Sequence, residues 1–381
     1  MKQGSHVLHI FPNFGPGGME LRVTRIINGM GPAVRHTIVA LLGNYDAMEF
    51  IDRGIRVDYP APPSKGGLLP YVRDLRTLLR RADPDLLLTY NWGAIDALLS
   101  AWTTGFRPIV HHECGFGSEE AVSLKPARVL MRRLLLPRTF AVAVTSRTMR
   151  EISVRQFKLP PDKVRWIRTG IDEDRFRPGL SRDWRRQIGV GDDEVLFGFV
   201  GVLRAEKNLR FLLRALAGAR IPKAKLAVVG DGPERSMLEQ MAREEGIGEH
   251  VVFSGRVPDP AKCLAAFDVF VLSSCTEQTS NALLEAMACG LPAISTDVGD
   301  SSEMLGNIGP PVIVPAGDLQ AYSNALAVLA SSPELRERLG VANRHRCLEH
   351  YRLERMVLEY EALYEAACQS SARAPSPRGA K

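Results

Sequence analysis

Apolar residues along the chain recur in two patterns. Some form short unbroken runs, and others stand three or four positions apart on one face of a helix. The runs at 6–10, 36–42, 85–90, 108–112, 139–145 and 164–167 read as buried strands, with a further short strand ending the segment 53–57. Helical spacing covers about 19–30, 71–82, 93–103 and 119–136, and Val72, Leu75, Leu78 and Leu79 share one face of the second. A loop is expected at 61–67, Asp83-Pro84-Asp85 stops the second helix, and Ser146 is placed to cap the helix after 139–145. A Gly/Pro-rich crossover follows at Thr169-Gly170-Ile171-Asp172 and Arg175-Phe176-Arg177-Pro178. The alternation then restarts with strands at 195–201, 225–230, 250–254, 268–274, 293–296 and 311–314. Helices are expected from 208 to about 219, from Glu234, over 261–267, 281–289, 318–330 and 332–350, and again over 351–368. Strands alternating with helices imply parallel sheets covered on both faces, with ligands beyond the carboxyl ends of the strands.

The loops at those strand ends hold the candidate chemistry. In Cys275-Thr276-Glu277-Gln278-Thr279-Ser280-Asn281-Ala282-Leu283-Leu284-Glu285, Ser280 or Asn281 can cap a helix that Gly290 and Pro292 end. Seven residues separate Glu277 in the loop from Glu285 on the helix. A helix N-terminus favours phosphate through its unpaired amides, and the two carboxylates can accept from sugar hydroxyls on either side. The plain alternative is a capped surface helix with two solvated acids. Arg204 and Lys207 leave the strand at 195–201 and can clamp a diphosphate, or simply be solvated. Gly15-Pro16-Gly17-Gly18 links the first strand to its helix; it can bring amides to a phosphate or be a tight turn, and it lacks the GxGxxG dinucleotide pattern. His111, His112, Glu113 and Cys114 end the strand at 108–112, ahead of Gly115-Phe116-Gly117. The helix at 119–136 sets Lys125, Arg128, Arg132 and Arg133 beside apolar residues, which suits an anionic membrane face or a solvated basic side over its own sheet.

Length and composition narrow the picture only a little. The 381 residues suit two domains, and 45% hydrophobic with 24% charged residues is ordinary for globular cores. No apolar run approaches the roughly 20 residues of a membrane span. No basic-then-apolar leader is seen, so no signal peptide is expected. The six cysteines show no CxxC or metal spacing and read as single thiols in a reducing compartment. A net charge of +6 suits anionic partners without choosing among them.

Taken in order, these pieces resemble the retaining GT-B glycosyltransferases of the family 4 type, over nearly the whole chain. Glu277 to Glu285 matches the family's Glu-x7-Glu motif, continued by Ala286-Met287-Ala288, Gly290 and Pro292. Gly201-x-Leu203-Arg204-x-Glu206-Lys207-Asn208, Gly230-Asp231-Gly232-Pro233-Glu234 and Gly170-Ile171-Asp172 match too. The resemblance implies an α/β fold of two Rossmann-like domains facing a cleft, with the C-terminal helix crossing back to the first. The domains would be 1–172 for the acceptor, 173–350 for the nucleotide sugar, 351–369 as the returning helix and 370–381 as a disordered tail. It implies transfer of a sugar from a nucleotide-diphosphate sugar to a glycan or lipid-linked acceptor in surface polysaccharide or glycolipid synthesis. It implies no metal, no cofactor beyond the sugar nucleotide as co-substrate, no nucleic acid, and a cytoplasmic setting with an inner-membrane surface as a candidate partner.

By position, Arg204 and Lys207 would hold the diphosphate and Glu285 the ribose. Glu277, with the amides of Gln278, Ser280, Asn281 and Ala282, would meet donor sugar and phosphate, aided by Gly230, Arg256 and Val257. Gly17 and Gly18 would close on the phosphate from the first domain, and His112 or His111 would lie near the sugar and acceptor. The chain departs from the pattern at Val202, Thr169 and Gln278, and Cys114 stands where many members place the active-site histidine. The competing readings are a non-catalytic nucleotide-sugar-binding or partner subunit, which the missing histidine favours, and a GT-B nucleotide-sugar epimerase. A nucleic-acid binder lacks aromatic-basic interleaving, and an NAD oxidoreductase lacks its fingerprint.

Overall fold

The computed structural model describes residues 1–64, 67–116, 120, 123–306 and 312–372. The described backbone begins β1 (His6–Phe11), α1 (Gly18–Met30), β2 (Arg35–Ala40), β3 (Arg56–Asp58), α2 (Leu68–Ala82), β4 (Leu86–Tyr90) and α3 (Ile95–Thr104). It continues with β5 (Ile109–Glu113), α4 (Pro126–Leu135), β6 (Ala141–Val144), α5 (Arg147–Arg155) and β7 (Val164–Trp166). These strands form one parallel sheet in the order β3-β2-β1-β4-β5-β6-β7. After α6 (Asp183–Gln187) come β8 (Val195–Val200), α7 (Leu209–Ala219), β9 (Ala224–Val229), α8 (Arg235–Glu244), β10 (Val251–Gly255) and α9 (Pro260–Ala266). Then follow β11 (Val269–Leu272), α10 (Asn281–Ala288), β12 (Ala293–Thr296), α11 (Ser301–Leu305), β13 (Ile313–Val314), α12 (Leu319–Ser331) and α13 (Pro333–His350). The second sheet is parallel in the order β10-β9-β8-β11-β12-β13. The last helix, α14 (Leu353–Ala372), joins the first compact unit, which comprises Met1–Gly170 and Leu353–Lys381; the second unit is Ile171–Arg352.

The first sheet shows how strand periodicity sorts side chains. Val7 and Phe11 of β1, Leu86, Leu88 and Tyr90 of β4 and Val110 of β5 pack under α1 and α14 with Ile26, Ile27, Met356, Tyr360 and Tyr364. Leu8 and Ile10, Leu87, Ile109 and Val142 face the opposite layer, with Leu75, Leu79 and Leu98. Successive residues of a strand point to opposite faces, and both faces are covered, so the central strands β1, β4, β5 and β6 are buried along their whole length. Gly29 of α1 lets α14 close in, because a Cβ there would stand 2.6 Å from a Val357 methyl.

Several elements differ from the sequence expectation. The basic helix expected from 119 begins at Pro126, whose ring fits only the first turn of a helix; residues 117–119 and 121–122 lie outside the described residues, Glu119 and the glycine-loop Gly117 among them. The helix expected without interruption from 332 to 368 breaks at Tyr351 and restarts at Leu353. Of the tail expected at 370–381, the first residues continue α14 to Ala372 and the rest lie outside the described residues. Parts of the loop at 61–67 and the start of the strand at 311–314 also lie outside them. No helix among the described residues is long and apolar enough to cross a membrane.

The first sheet also buries a chain of histidines. His9 shares hydrogen bonds with Tyr90 Oη (2.9 Å) and His36 Nδ1 (3.0 Å), and His6 Nε2 lies 2.8 Å from Thr37 Oγ1. Burial, and the neighbouring His6, push His36 down to about 4, and burial lowers His9 and His112 as well. The unfolded chain takes up protons near pH 6.5 that the folded state refuses, so folding stability is full above that pH and is lost as pH falls towards the folded values. The urea midpoint of the protein is therefore expected to fall steadily between pH 7 and pH 4.5. His36→Gln, which can keep a bond to His9, should flatten that fall by about one proton's worth. Titrations of both proteins by tryptophan fluorescence check this, and a pH-independent midpoint would refute it.

Candidate functional site

In each sheet the strand order reverses once, between β1 and β4 in the first and between β8 and β11 in the second. Loops leaving the carboxyl ends of two such strands diverge and open a crevice. In the second unit β8 leads into a single 3-10 turn, Ala205–Lys207, followed by Asn208 in left-handed geometry with φ 50°. β11 leads into the segment ending at Ser280, which caps α10 by accepting from the Leu283 amide at 3.3 Å. The two exits are tied together. The Cys275 amide donates to Glu206 O at 2.8 Å, and Ser273 Oγ donates to Lys207 O at 2.9 Å. The Lys207 ammonium pairs with Glu277 Oε1, which also accepts from Ser274 Oγ at 2.8 Å.

The Glu277 backbone is fixed from below by the exit of β12. The Asp300 amide donates to Gln278 O at 3.0 Å, and a Cβ on Gly299, at φ 57°, would stand 2.3 Å from Glu277 O. Arg204 lies one turn before Lys207 and is exposed, its Nη1 3.9 Å from Glu206 Oε1. Glu285 sits half-buried on the second turn of α10, and Gln278, Asn281 and Ala282 are half-buried around that helix's start. The structure thus brings Arg204, Lys207, Glu277 and Gln278 onto two neighbouring exits, with Glu285 on the helix that follows. An ammonium has three donors, so one carboxylate oxygen does not exhaust Lys207. A cation, a guanidinium and a helix N-terminus at one crevice suit a multiply charged oxyanion.

Gly230, Arg256 and Val257 belong to the adjacent exits of β9 and β10. Gly230 has φ 135°, donates its amide to Gly255 O at 2.8 Å, and a Cβ there would be 1.8 Å from Gly201 O. Its first duty is therefore close backbone contact between the β8, β9 and β10 exits. Arg256 is exposed and Val257 half-buried just beyond Gly255. Sequence reasoning missed Ser273, Ser274 and Gly299, although two hydroxyls directly after an apolar strand were a signal that side chains there face a loop and not the core.

The first unit holds its two candidate histidines within the sheet. His111 and His112 are both fully buried. His112 turns into the α14 layer, where Nε2 lies 3.1 Å from Tyr364 Oη and its ring stacks on Tyr360. His111 turns into the opposite layer, with Nδ1 2.8 Å from Thr89 Oγ1 and Nε2 3.4 Å from Glu113 Oε2. Burial would raise the Glu113 carboxyl, yet His111 and the buried Arg132 beside it hold it below its ordinary value. Both histidines lie inside β5 with their rings buried, and a role for His111 or His112 near the sugar and acceptor stands as a proposal. The residue at that end is Cys114, whose amide donates to Asn91 Oδ1 at 2.7 Å and whose sulfur lies 2.7 Å from Nη2 of the buried Arg22. Burial pushes the Cys114 thiol up against the pull of that guanidinium. Gly17 and Gly18 begin α1, and a Cβ on Gly17 would be 2.4 Å from Glu20 Oε2, whose carboxyl burial raises to about 7.

Two doubly wound parallel units, one carrying a Glu-x7-Glu helix and a Lys–Glu pair at its strand reversal, define a GT-B fold. The family model described as glycosyl transferases group 1 matches residues 181–346, and that described as Glycosyltransferase Family 4 matches residues 16–175. The chain belongs to the GT-B glycosyltransferases of the family 4 type. It is 34% identical over 191 residues to a 2-deoxystreptamine N-acetyl-D-glucosaminyltransferase of Streptomyces fradiae, covering 45% of each chain. It is 29% identical over 206 residues to an N-acetyl-alpha-D-glucosaminyl L-malate synthase of Bacillus anthracis, covering 54% of each. The match spans about half the length of these curated relatives. The solved structure of Anabaena Alr3699/HepE in complex with UDP has the same fold, with TM-score 0.84 and 19% identity over 96% of this chain and 100% of that one.

Gly230→Ala tests the backbone junction beneath the site. The clash with Gly201 O and the unfavourable φ should destabilise the second unit by at least about 3 kcal/mol. Urea unfolding of the variant measures it, and a loss under about 1 kcal/mol would show that the exits can separate cheaply.

Proposed function

We propose that the protein is a retaining, metal-independent glycosyltransferase that moves a sugar from a uridine-diphosphate donor to a glycan or lipid-linked acceptor. The observation that carries this reading is the Lys207–Glu277 pair at the strand reversal, with α10 opening beside it. The Anabaena neighbour is a complex with UDP, and the two relatives are an N-acetyl-D-glucosaminyltransferase and an N-acetyl-alpha-D-glucosaminyl L-malate synthase, so UDP and UDP-N-acetylglucosamine are the first donors to test. Lys207 and Arg204 neutralise the diphosphate as the C1–O bond breaks, and the α10 amides add to this. The acceptor oxygen bonds C1 on the face the leaving group vacates, and its proton passes to the departing phosphate oxygen. Glu285 takes the ribose hydroxyls. Glu277 holds Lys207 and accepts from the sugar, and no carboxylate acts as nucleophile. The product class we assign is surface polysaccharide or glycolipid made in the cytoplasm.

Peripheral contact with an anionic inner-membrane face is part of the proposal. α4 exposes Leu130 and Leu134 one turn apart, with Arg133 between them and no acidic residue in the helix. Beside it the Arg138 guanidinium lies 4.3 Å from the centre of the exposed Trp102 ring. A second reading, nucleotide-sugar binding without transfer, is favoured by Cys114 at the strand end and by the burial of both neighbouring histidines.

UDP should raise the thermal midpoint by several degrees, equally with and without EDTA, while ADP and GDP should not. Glu285→Ala should weaken UDP binding about tenfold. Arg204→Ala with Lys207→Ala should slow donor hydrolysis by a factor of about 100 or more with the fold intact. Donor binding without hydrolysis or transfer would select the second reading. No shift with any nucleotide would refute both. The membrane contact predicts co-sedimentation with phosphatidylglycerol vesicles, lost at high salt and in Leu130→Glu with Leu134→Glu; equal binding to neutral vesicles would refute it.

A further inference from the structure

Glu277 Oε1 is shared by two partners of different kinds. One is the flexible ammonium of Lys207, and the other is the hydroxyl of Ser274, a fully buried residue. We propose that Ser274 is a positioning residue whose hydroxyl fixes the Glu277 carboxylate in the rotamer that meets Lys207, so that a donor sugar encounters a preset Lys–Glu pair. This rests on the reading that the second unit binds a nucleoside-diphosphate sugar.

The backbone that carries the Ser274 hydroxyl is set without Glu277. Its carbonyl accepts from Thr296 Oγ1 at 2.7 Å, which ties it to the end of β12. Ser273 Oγ before it holds Lys207 O at 2.9 Å, and the Cys275 amide after it holds Glu206 O at 2.8 Å. Three strand exits therefore hold the Ser274 backbone, and the buried hydroxyl can only stand within the small arc that its Cβ allows. Glu277 and Lys207 are the opposite case. Both are long side chains on loops, partly solvent-accessible, and such a pair loses rotamer freedom for little gain when nothing else holds it. A fixed hydroxyl donor removes that freedom on the carboxylate side and adds no charge. The ion pair stays neutral overall, and the remaining ammonium protons stay available to phosphate.

The consequence separates nucleotide binding from sugar chemistry. UDP alone meets the cations and the α10 amides, whereas the sugar-bearing donor also needs Glu277 in place. Loss of the hydroxyl should therefore be felt where the sugar is held and transferred.

The test compares the protein with Ser274→Ala and Ser274→Thr. UDP affinity is read by calorimetry, kcat and KM for UDP-N-acetylglucosamine hydrolysis by UDP release, and crystal structures are determined for the unvaried protein and Ser274→Ala. The expected result for Ser274→Ala is UDP affinity within about twofold, a kcat lower by about tenfold and a Glu277 carboxylate turned away from Lys207. Ser274→Thr, which keeps the hydroxyl, should recover most of the kcat. An unchanged Glu277–Lys207 pair in the Ser274→Ala crystal overturns the proposal, as does an unchanged kcat or a loss of UDP affinity as large as the loss of kcat. If the unvaried protein neither binds UDP nor hydrolyses the donor, the functional reading fails, and the two crystal structures alone decide whether Ser274 positions Glu277.

Discussion

Parallel strands covered on both faces leave a side chain one of two interiors and no third option. That constraint decides which residues in each unit can meet a ligand. Along β5 it sends Val110 and His112 into the α14 layer and His111 and Glu113 into the α4 layer. Cys114, the first residue beyond the strand, is the first to escape it. The same constraint places Ser273, Ser274 and Glu277 beyond β11 and Lys207 beyond β8, at the one point in the second sheet where neighbouring loops diverge. Position relative to the strand end outranks residue chemistry: a histidine one step inside the strand bonds within the core layers, and a serine just outside bonds to the neighbouring loops.

The two units treat charge differently. In the second, Lys207 and Arg204 keep contact with solvent, and their carboxylate partners are Glu277 and Glu206 on the same exits. In the first, Arg132 is buried between Glu113 and Glu120 with its guanidinium over the Trp92, Phe116 and Phe157 rings. A buried ion pair of this kind contributes little net stability against well-packed apolar residues, yet removing one partner is costly because the other charge is stranded. Such a cluster fixes the last turn of α4 to the end of β5, and it cannot release a charge to a ligand without breaking the core.

The sequence made the alternation of strands and helices, the crossover near Gly170 and the helix starts at Ser146, Ser280 and Ser332 legible, because each rests on short-range periodicity or on a cap that bonds within three residues. The cationic and acidic members of the second-unit site were legible for the same reason: motif spacing across one strand-loop-helix junction is local. What was not legible depended on register. Whether His111 or His112 lay inside β5 turned on where the strand ends, and that is fixed by its partners, Thr89 and Tyr90 of β4 and Val142 to Val144 of β6. The start of α4 was misread because apolar spacing ran on past Pro126, and only the proline's missing amide and fixed φ forbid the earlier turn.

Gly230 begins a line of contacts that runs across the second unit. With no room for a Cβ against Gly201 O, the β8 and β9 exits meet backbone to backbone, and the Gly230 amide passes the contact on to Gly255. The Cys275 amide continues the line through Glu206 to the β11 exit, and Thr296 Oγ1 extends it to β12. Five consecutive strand ends are thereby laced by short contacts, all but the Thr296 hydroxyl made backbone to backbone, and the polar side chains of the site project from that frame. Hydrogen bonds made by a frame of this kind hold a functional group at little further entropic cost, because the atoms that make them were already ordered by the sheet. The Lys207–Glu277 pair projects from that frame, held on its carboxylate side by Ser274, and the remaining ammonium donors face a ligand.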